Sequence, residues 1–324
     1  MKFTISPEQR QFAGSVQDLL SGADPAGAAR AWARGRSGPG RKLLRGLADL
    51  GVPALLVDER HGGLGGDPVD LVVAFEVIGY HAVPGPVVES AAVAPVALTG
   101  GAARRWLPAV AAGESFATVL AGPEVPLALD ADVADFVLDL RAGTVGEVRI
   151  AHRVRSIDPA RRLFRLAPGE SSPVDEGGRA FETGALAVCA QLLGAGQWLL
   201  DTAVGYAKQR SQYGRLIGEY QAIKHLLADV ATQLELARPL VHGAAVAAAG
   251  GDPLLPREVS AAKVFAGQAA YLAARTALQV HGAIGYTEEH DLGLRLTKVR
   301  ALLGAWGSAS FHRARVRRAV AGAA

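Results

Sequence analysis

The C-terminal half of the chain repeats apolar residues at the spacing of an α-helix over long stretches. In the first stretch they recur in steps of three, four and seven, at Leu186, Cys189, Leu193, Leu200 and Val204. This spacing lines up one apolar face along a helix. The same pattern continues from Ile223 to Val241 and, in an alanine-rich form, from Val259 to Val280. Long apolar helices joined by short turns indicate a four-helix bundle.

Two shorter helices, predicted over Asp291 to Leu303 and Ala305 to Val320, complete this bundle. We assign the bundle to a C-terminal domain over residues 174–324. Helices with so wide an apolar face usually pack against more than one neighbour. We therefore expect the chain to work as an oligomer.

The N-terminal third, residues 1–113, also shows the pattern of helices. Ser6 precedes Pro7 and is followed by Gln9, an arrangement that caps the start of a helix. Helices are predicted over Gln11 to Leu20, Lys42 to Leu50, Asp70 to Tyr80 and Glu89 to Leu98. These elements predict an N-terminal helical domain.

Between the two helical parts, residues 114–173 carry short runs typical of β-strands, separated by Gly, Pro and Asp. The runs are Phe116 to Leu120, Phe136 to Leu140, Val145 to Ala151 and Arg162 to Leu166. A block of about 60 residues suits only a small sheet or a reduced barrel. The predicted fold class is therefore mainly α, with a small β domain in the middle of the chain.

The charge and cysteine content exclude several classes of function. Charged residues make up 20% of the chain, the formal net charge is +3, and only Arg313 to Arg318 form a basic cluster. A nucleic-acid-binding protein concentrates its basic residues on one face, so we expect no nucleic-acid partner. The single cysteine, Cys189, can form no internal disulfide. Because it lies in an apolar run, we expect it to be buried, and we expect no metal site.

The segment from Met1 to Phe12 is polar and lacks the apolar core of a signal peptide. No stretch of 18 apolar residues without a charge indicates a membrane span. The sequence therefore predicts a soluble cytoplasmic protein that does not bind a membrane.

Two segments are more specific than these general patterns. The first runs from Tyr206 to Asp229 and reads YAKQRSQYGRLIGEYQAIKHLLAD, and the second runs from Gln279 to Leu292 and reads QVHGAIGYTEEHDL. Both closely resemble the C-terminal helical domain of acyl-CoA dehydrogenases. Shorter pieces agree in the expected order, at Ser6 to Arg10, Gly51 to Gly65 and Glu76 to Gly79. The resemblance covers about 250 residues and implies the acyl-CoA dehydrogenase-like fold.

The resemblance also implies a site for flavin adenine dinucleotide (FAD). In the family, the matching residues reach across a dimer interface and hold the ADP half of an FAD that is bound mainly to the neighbouring subunit. Their chemistry suits a diphosphate, because a guanidinium grips two oxygens, amides donate to phosphate, and glycine lets the backbone come close. The matching residues here are Arg210, Gln212, Tyr213, Gln221, Gln279, His281, Gly282 and Ala283.

Each of these residues, taken alone, has a structural interpretation. Arg210 could pair with an acid at a helix end, Gln221 could face solvent on a helix, and Gly214 could mark a turn. A histidine beside an apolar stretch, such as His281, is more often a core residue than a catalyst. Only the ordered combination favours the flavin site.

The chain departs from the family at the catalytic base, the carboxylate that removes the α-proton of the acyl thioester. Many members carry it as a Glu near the C-terminus, where this chain has Trp306, whose indole cannot accept a proton. Other members carry it near the start of the first long C-terminal helix, close to Gly184. Glu182 is the best candidate there, and its alternative is a solvated acid in the first helical turn. Glu288 and Glu289 are further candidates that a polar turn explains equally well.

The middle block departs from the family as well. The family has a Thr-Glu-Pro-Gly-Ala-Gly-Ser-Asp type of loop and a Trp-Ile-Thr type of strand that cradle the flavin ring. Residues 117–124 keep only a trace of the loop, and the strand is not visible. With the base also missing, the chain resembles the short subunit of heteromeric acyl-CoA dehydrogenases, such as the two-gene enzymes of bacterial sterol side-chain breakdown.

Three functions follow from this resemblance. In the first, the chain is a subunit of an FAD-dependent acyl-CoA dehydrogenase, and a longer homologous subunit supplies the base and the flavin pocket. An electron-transfer flavoprotein is then the expected electron acceptor. In the second, the chain is a self-sufficient homo-oligomeric dehydrogenase with a relocated base. In the third, it is a non-catalytic scaffold that kept the fold.

Overall fold

The computed structural model describes residues 5–174, 178–287 and 290–322. Helices dominate this part of the chain, so the mainly α fold class is confirmed. A π-helical turn, Val88–Val93, leads directly into the fifth helix. The N-terminal helices are α1 (Pro7–Ser21), α2 (Pro25–Ala33), α3 (Gly38–Asp49), α4 (Pro68–Tyr80), α5 (Ala94–Ala97) and α6 (Gly100–Ala111).

The start of α1 is fixed by the capping residues that the sequence indicates. The Gln9 backbone N–H donates to the Ser6 hydroxyl at 3.1 Å, and the Ser6 N–H donates to the Gln9 side-chain oxygen at 3.0 Å. The sequence prediction omits α2 and α6. Both contain helix-weakening residues, Gly27 in α2 and Pro108 in α6, which hide the helical spacing.

The strands of the middle segment form two small sheets. The strands are β1 (Ala117–Leu120), β2 (Ala128–Leu129), β3 (Phe136–Asp139), β4 (Thr144–Gly146), β5 (Ile150–Val154), β6 (Leu163–Leu166) and β7 (Ser171–Pro173). In the first sheet, β1 pairs in parallel with β3, and β4 pairs with both β3 and β7 in antiparallel fashion. In the second sheet, β6 lies between β2 and β5, and both pairs are antiparallel.

The C-terminal part is the helical bundle that the apolar spacing predicts. A short hairpin separates its first two helices. The elements are α7 (Gly178–Ala207), β8 (Ser211–Gln212), β9 (Arg215–Leu216), α8 (Gln221–Ala249), α9 (Leu255–His281), α10 (Leu292–Gly304) and α11 (Ala309–Ala321).

Helix α7 lies at the centre of the molecule, in contact with α4, α8 and α9. Its stretch Arg179–Ala207 is long and apolar enough to cross a membrane by length and composition, but most of it is buried inside the protein as a core helix. Cys189 on this helix is fully buried, as predicted. Helices α4 and α7 approach so closely that a Cβ atom at Gly79 or Gly194 would overlap the backbone of the other helix.

Candidate functional site

The hairpin after α7 carries three of the predicted cofactor-binding residues, Arg210, Gln212 and Tyr213. Ser211 pairs with Leu216 and Gln212 with Arg215. The turn between them uses the left-handed region at Tyr213 (φ 52°) and Gly214 (φ 82°), which matches the twist of a two-residue hairpin. The turn leaves the Tyr213 side chain 94% exposed.

Contacts around the hairpin hold it in place. The Arg210 N–H donates to the Tyr206 carbonyl oxygen at 2.9 Å, which ties the hairpin to the end of α7. The Tyr220 hydroxyl donates to the Gln212 carbonyl oxygen at 3.1 Å. The Arg215 guanidinium lies 4.0 Å from the centre of the Tyr220 ring. The exposed side chains therefore project from a braced backbone.

The second predicted segment lies at the end of α9. Gly282 follows the helix with φ 63° and ψ −136°, a backbone conformation that is essentially restricted to glycine. This is the backbone freedom that the sequence analysis expects of Gly282. Ala283 and the rest of the turn Gly282–Tyr286 then continue as a 3₁₀ helix.

A ring contact joins the two segments. The Tyr206 ring stacks on the His281 ring, with 4.5 Å between the ring centres and 23° between the planes. Tyr206 belongs to the last turn of α7 and His281 is the last residue of α9, so the ends of these helices lie side by side. The fold thus brings the Arg210 hairpin and the Gln279 segment to one end of the bundle.

Four of the predicted residues are unengaged hydrogen-bond donors. The side chains of Arg210, Gln212, Gln221 and Gln279 are exposed and make no hydrogen bond or ion pair with any other described residue. Gly282 and Ala283 beside them are also exposed. A guanidinium and three amides, displayed on a braced end of the bundle, fit the diphosphate half of a dinucleotide.

His281 differs from its predicted neighbours because its ring is buried. Its Nδ1 lies 2.8 Å from the Ala277 carbonyl oxygen and must donate the hydrogen bond. Burial, only partly opposed by this bond, lowers the pKa of His281 below its ordinary value, which favours the neutral ring. The interpretation as a packed core histidine therefore describes its side chain better than direct contact with a cofactor.

The two positions at which the family carries its base face each other in the structure. A Cβ atom added to Gly184 would lie 2.7 Å from the ring carbons of Trp306. The indole is 1% exposed and fills the space in front of the glycine. The His312 Nε2 donates to the Trp306 carbonyl oxygen at 2.9 Å and holds the loop in this position. Neither base position offers a carboxylate.

Glu182, the predicted candidate for the base, is engaged elsewhere. Both of its carboxylate oxygens accept hydrogen bonds from the Arg315 guanidinium, one of them at 3.1 Å. The pair is mostly buried beside the rings of Phe181 and Phe311. The structure therefore places Glu182 in an ion pair between α7 and α11. The other two candidates, Glu288 and Glu289, lie outside the described residues.

The remnant of the flavin loop is a tight turn. After β1, the Ala121 and Val125 backbones exchange hydrogen bonds of 3.0 and 3.1 Å. Gly122 adopts φ 58° in the turn that these bonds close. A turn closed on itself in this way has fewer free backbone groups to offer a flavin ring.

A cleft of about 310 Å³ opens beside this turn, and the sequence analysis does not identify its most unusual residue. Glu89, in the π-helical turn, lines the cleft together with Trp306 and Arg161. The Glu89 side chain is 2% exposed, and its Oε2 has no hydrogen-bond partner. The sequence does carry a signal for this residue, because Glu89 is the only acid in the mainly apolar run from Val87 to Val93. π-Helical turns often occur at functional sites.

Burial raises the pKa of the Glu89 carboxyl to about 7, although the Arg161 guanidinium and the Trp306 side chain favour its charged form. Asp130, also fully buried, acts in the same direction as burial. The Trp306 side chain therefore both occupies the usual base position and contacts the carboxyl that lines the cleft. Glu89 is therefore harder to ionise than an ordinary glutamate, chiefly because it is buried.

This carboxyl should make the stability of the protein depend on pH. An unfolded Glu ionises near pH 4.5, whereas folded Glu89 ionises near 7, so ionisation opposes folding over that interval. We expect the free energy of unfolding to fall by about 3 kcal/mol from this group as the pH rises through the interval. Urea unfolding of the Glu89→Gln variant at several pH values should not show this fall in the free energy of unfolding. The Glu170→Gln variant, which changes an exposed glutamate, should show it as the wild type does. Parallel stability curves for wild type and Glu89→Gln would contradict the assignment.

Comparison with known proteins assigns the chain to a class and then to a family. The fold is that of a mainly helical dehydrogenase. The family model for the acyl-CoA dehydrogenase C-terminal domain matches residues 178–321, and the model for the N-terminal domain matches residues 6–114. The chain belongs to the acyl-CoA dehydrogenase family, and it is an oxidoreductase of that family.

Two relatives resemble the chain over most of its length. Acyl-CoA dehydrogenase IpdE2 of Mycobacterium tuberculosis is 33% identical over 298 residues, which cover 89% of this chain and 90% of the relative. The IpdE2 of Mycolicibacterium smegmatis is 32% identical over 247 residues, 76% of each chain.

Solved structures share the fold. The ChsE4-ChsE5 complex from Mycobacterium tuberculosis aligns with a TM-score of 0.85 at 20% identity, over 99% of both chains. Butyryl-CoA dehydrogenase from Megasphaera elsdenii aligns with a TM-score of 0.83 at 19% identity, over 99% of this chain and all of that one. The acyl-CoA dehydrogenase fold predicted from the sequence is confirmed.

Proposed function

We propose that this chain is the short subunit of a heteromeric, FAD-dependent acyl-CoA dehydrogenase. The observation that carries the proposal is the set of unengaged donors on one end of the bundle, Arg210, Gln212, Gln221 and Gln279. In this proposal they hold the diphosphate half of an FAD that is lodged against the neighbouring subunit. When bound there, a flavin would supply the oxidising chemistry for the dehydrogenation of an acyl thioester.

Three features support a longer homologous partner as that neighbour. Gly184 and Trp306 leave both family base positions without a carboxylate, and Glu182 is held by Arg315. The flavin loop is reduced to the closed turn between Ala121 and Val125. Among the solved structures that share the fold, the ChsE4-ChsE5 complex contains two different subunits. The partner therefore supplies the base and the pocket of the flavin ring.

Two further solved structures that share the fold support a substrate class and an electron acceptor. A steroid acyl-CoA dehydrogenase, Tcur3481-Tcur3483, shares the fold, with a TM-score of 0.83 at 19% identity. A chain from a structure described for the electron transferring flavoprotein of Acidaminococcus fermentans aligns with a TM-score of 0.82 at 20% identity. We propose a bulky, sterol-derived acyl-CoA as the substrate and an electron-transfer flavoprotein as the acceptor.

The deciding experiment is a visible spectrum of the chain purified alone and after co-expression with homologous longer dehydrogenases. We expect a colourless protein in the first case and a yellow complex that bleaches with an acyl thioester in the second. Stoichiometric FAD on the chain alone would instead establish the self-sufficient enzyme. Absence of flavin from every complex would instead support the third hypothesis, a non-catalytic scaffold that kept the fold.

Within that complex, Arg210→Ala should weaken the binding of FAD about 10- to 100-fold, because a hydrogen-bonded charge pair contributes about 1.5 to 3 kcal/mol. Arg210→Lys keeps the charge but loses the planar fork, so an intermediate loss is expected. FAD titration into the flavin-free complex measures both effects. Arg165→Ala, an exposed arginine on β6, serves as the control. Equal affinities in the Arg210 and Arg165 variants would exclude Arg210 from the site.

A further inference from the structure

The Trp306 loop, residues 305–308 between α10 and α11, has an unusual backbone conformation. Trp306 adopts φ 56° and Gly307 adopts φ 100°, both in the left-handed region. A residue with a bulky side chain rarely enters this region, and it stays there only where the surrounding structure fixes it. Contacts from outside the loop must therefore hold Trp306 in place.

Lys263, on α9, supplies three of these contacts. Its ammonium Nζ donates to the carbonyl oxygens of Leu302 at 3.1 Å, Leu303 at 3.3 Å and Gly307 at 3.3 Å. An ammonium group has three hydrogens, so three acceptors satisfy it. Leu302 and Leu303 belong to the last turn of α10, whose carbonyl groups lack partners within the helix. The three contacts lie on both sides of Trp306 along the chain.

The surroundings of Lys263 explain why a charged group serves here. Lys263 is 3% exposed, so water cannot take over its hydrogen bonds. Burial lowers its pKa to about 8, which leaves the ammonium form in excess at pH 7. The carbonyl groups at the end of a helix favour a cation, because the negative end of the helix dipole lies there.

His312, on α11, makes a second attachment to the Trp306 loop. Its Nε2 donates to the Trp306 carbonyl oxygen at 2.9 Å, and its Nδ1 lies 3.0 Å from the Ser260 hydroxyl. Burial lowers the pKa of His312 to about 4, so the ring is neutral and Nδ1 must accept from the hydroxyl. Ser260 lies three residues before Lys263 on α9, so both attachments start from one helix.

We propose that Lys263 is a positioning residue, which holds the Trp306 loop in the conformation in which the indole covers Gly184. Ser260 and His312 complete this attachment. The contacts are made to backbone carbonyl groups, so they act on the loop whatever side chain stands at position 306. The usual base position of the family is therefore closed by a held loop in this chain, in addition to lacking a carboxylate. The attachment requires neither a partner nor a flavin, so it can be measured on the chain alone.

The test follows hydrogen exchange of the Trp306 indole N–H by nuclear magnetic resonance. The Trp32 indole N–H, which is buried on α2 and donates to Asp130 at 2.8 Å, is the internal reference. Lys263→Met should speed exchange at Trp306 about 10- to 100-fold relative to Trp32, the effect expected for losing hydrogen bonds to a charged group. A general loss of stability would instead speed both exchange rates equally.

Lys298→Met is the matched control. Lys298 is 4% exposed and donates to the Val83 carbonyl oxygen at 2.9 Å, outside the Trp306 loop. Its loss should destabilise the protein without changing the ratio of the exchange rates at Trp306 and Trp32.

An equal rise at Trp306 and Trp32 in Lys263→Met would show a general structural role and overturn the proposal. If Lys263→Met does not fold, Ser260→Ala carries the test, with an expected relative increase at Trp306 of about 2- to 10-fold. No relative increase in that variant would have the same meaning. In the wild type, nitrogen chemical shifts should place the His312 proton on Nε2, and a proton on Nδ1 would contradict the attachment.

Discussion

Arg315→Met is expected to lower the free energy of unfolding by about 3 to 5 kcal/mol, because it leaves the Glu182 carboxylate buried without its partner. The Glu182 side chain is 7% exposed and the Arg315 side chain 16%, so water can replace the guanidinium only in part. The guanidinium also lies 5.7 Å and 5.3 Å from the ring centres of Phe181 and Phe311. Urea unfolding measures the loss.

The double variant Glu182→Leu with Arg315→Met provides the control. Removing both charges leaves no unpaired group, so most of the lost stability should return. Glu182→Gln in the co-expressed enzyme adds a functional measurement, since an ion-paired Glu182 predicts that bleaching by an acyl thioester persists. Loss of bleaching in a stable Glu182→Gln complex would restore Glu182 as the base.

Gly194→Ala is expected to destabilise the protein by about 3 kcal/mol or more. The added Cβ would overlap the Glu76 carbonyl oxygen and approach the Tyr80 backbone nitrogen, so helices α4 and α7 must move apart. Overpacking commonly costs about 1 to 3 kcal/mol when side chains can adjust, and backbone atoms adjust less. Thermal unfolding followed by circular dichroism measures the change.

Gly205 on the same helix is the matched control. A Cβ at this position meets nothing within 4 Å, so Gly205→Ala should stabilise the protein by about 0.5 to 1 kcal/mol through its helix propensity. If Gly194→Ala changed the stability of the protein no more than Gly205→Ala does, the close approach of α4 and α7 would be contradicted.

The two candidate sites of this chain involve different parts of the fold. The Arg210 hairpin and the Gln279 segment lie at one end of the bundle, joined by the Tyr206–His281 stack. The Glu89 cleft is formed by the π-helical turn, the middle segment and the end of α10. In the proposed enzyme the first site contributes to the partner's cofactor, whereas the cleft lies beside the family's base positions, which carry no carboxylate here.

Helix spacing, caps and family motifs were readable from the sequence because they depend on neighbours along the chain. The Ser6 capping box and the long helices of the bundle are of this kind. Helices α2 and α6 were missed because their internal Gly and Pro weaken the local signal, and tertiary packing around Trp32 and Leu107 compensates for it.

The sequence alone determined the family, the mainly α fold and the missing carboxylate at position 306, since these follow from residue types in order along the chain. Only the tertiary structure showed that the Trp306 ring covers Gly184, that Arg315 holds Glu182, and that an unpaired Glu89 lines a cleft. The first two contacts join residues more than 100 positions apart in the chain, and the cleft brings Glu89 together with the middle segment and Trp306. The protonation and availability of a carboxyl depend on its neighbours in space, and those neighbours are set by packing.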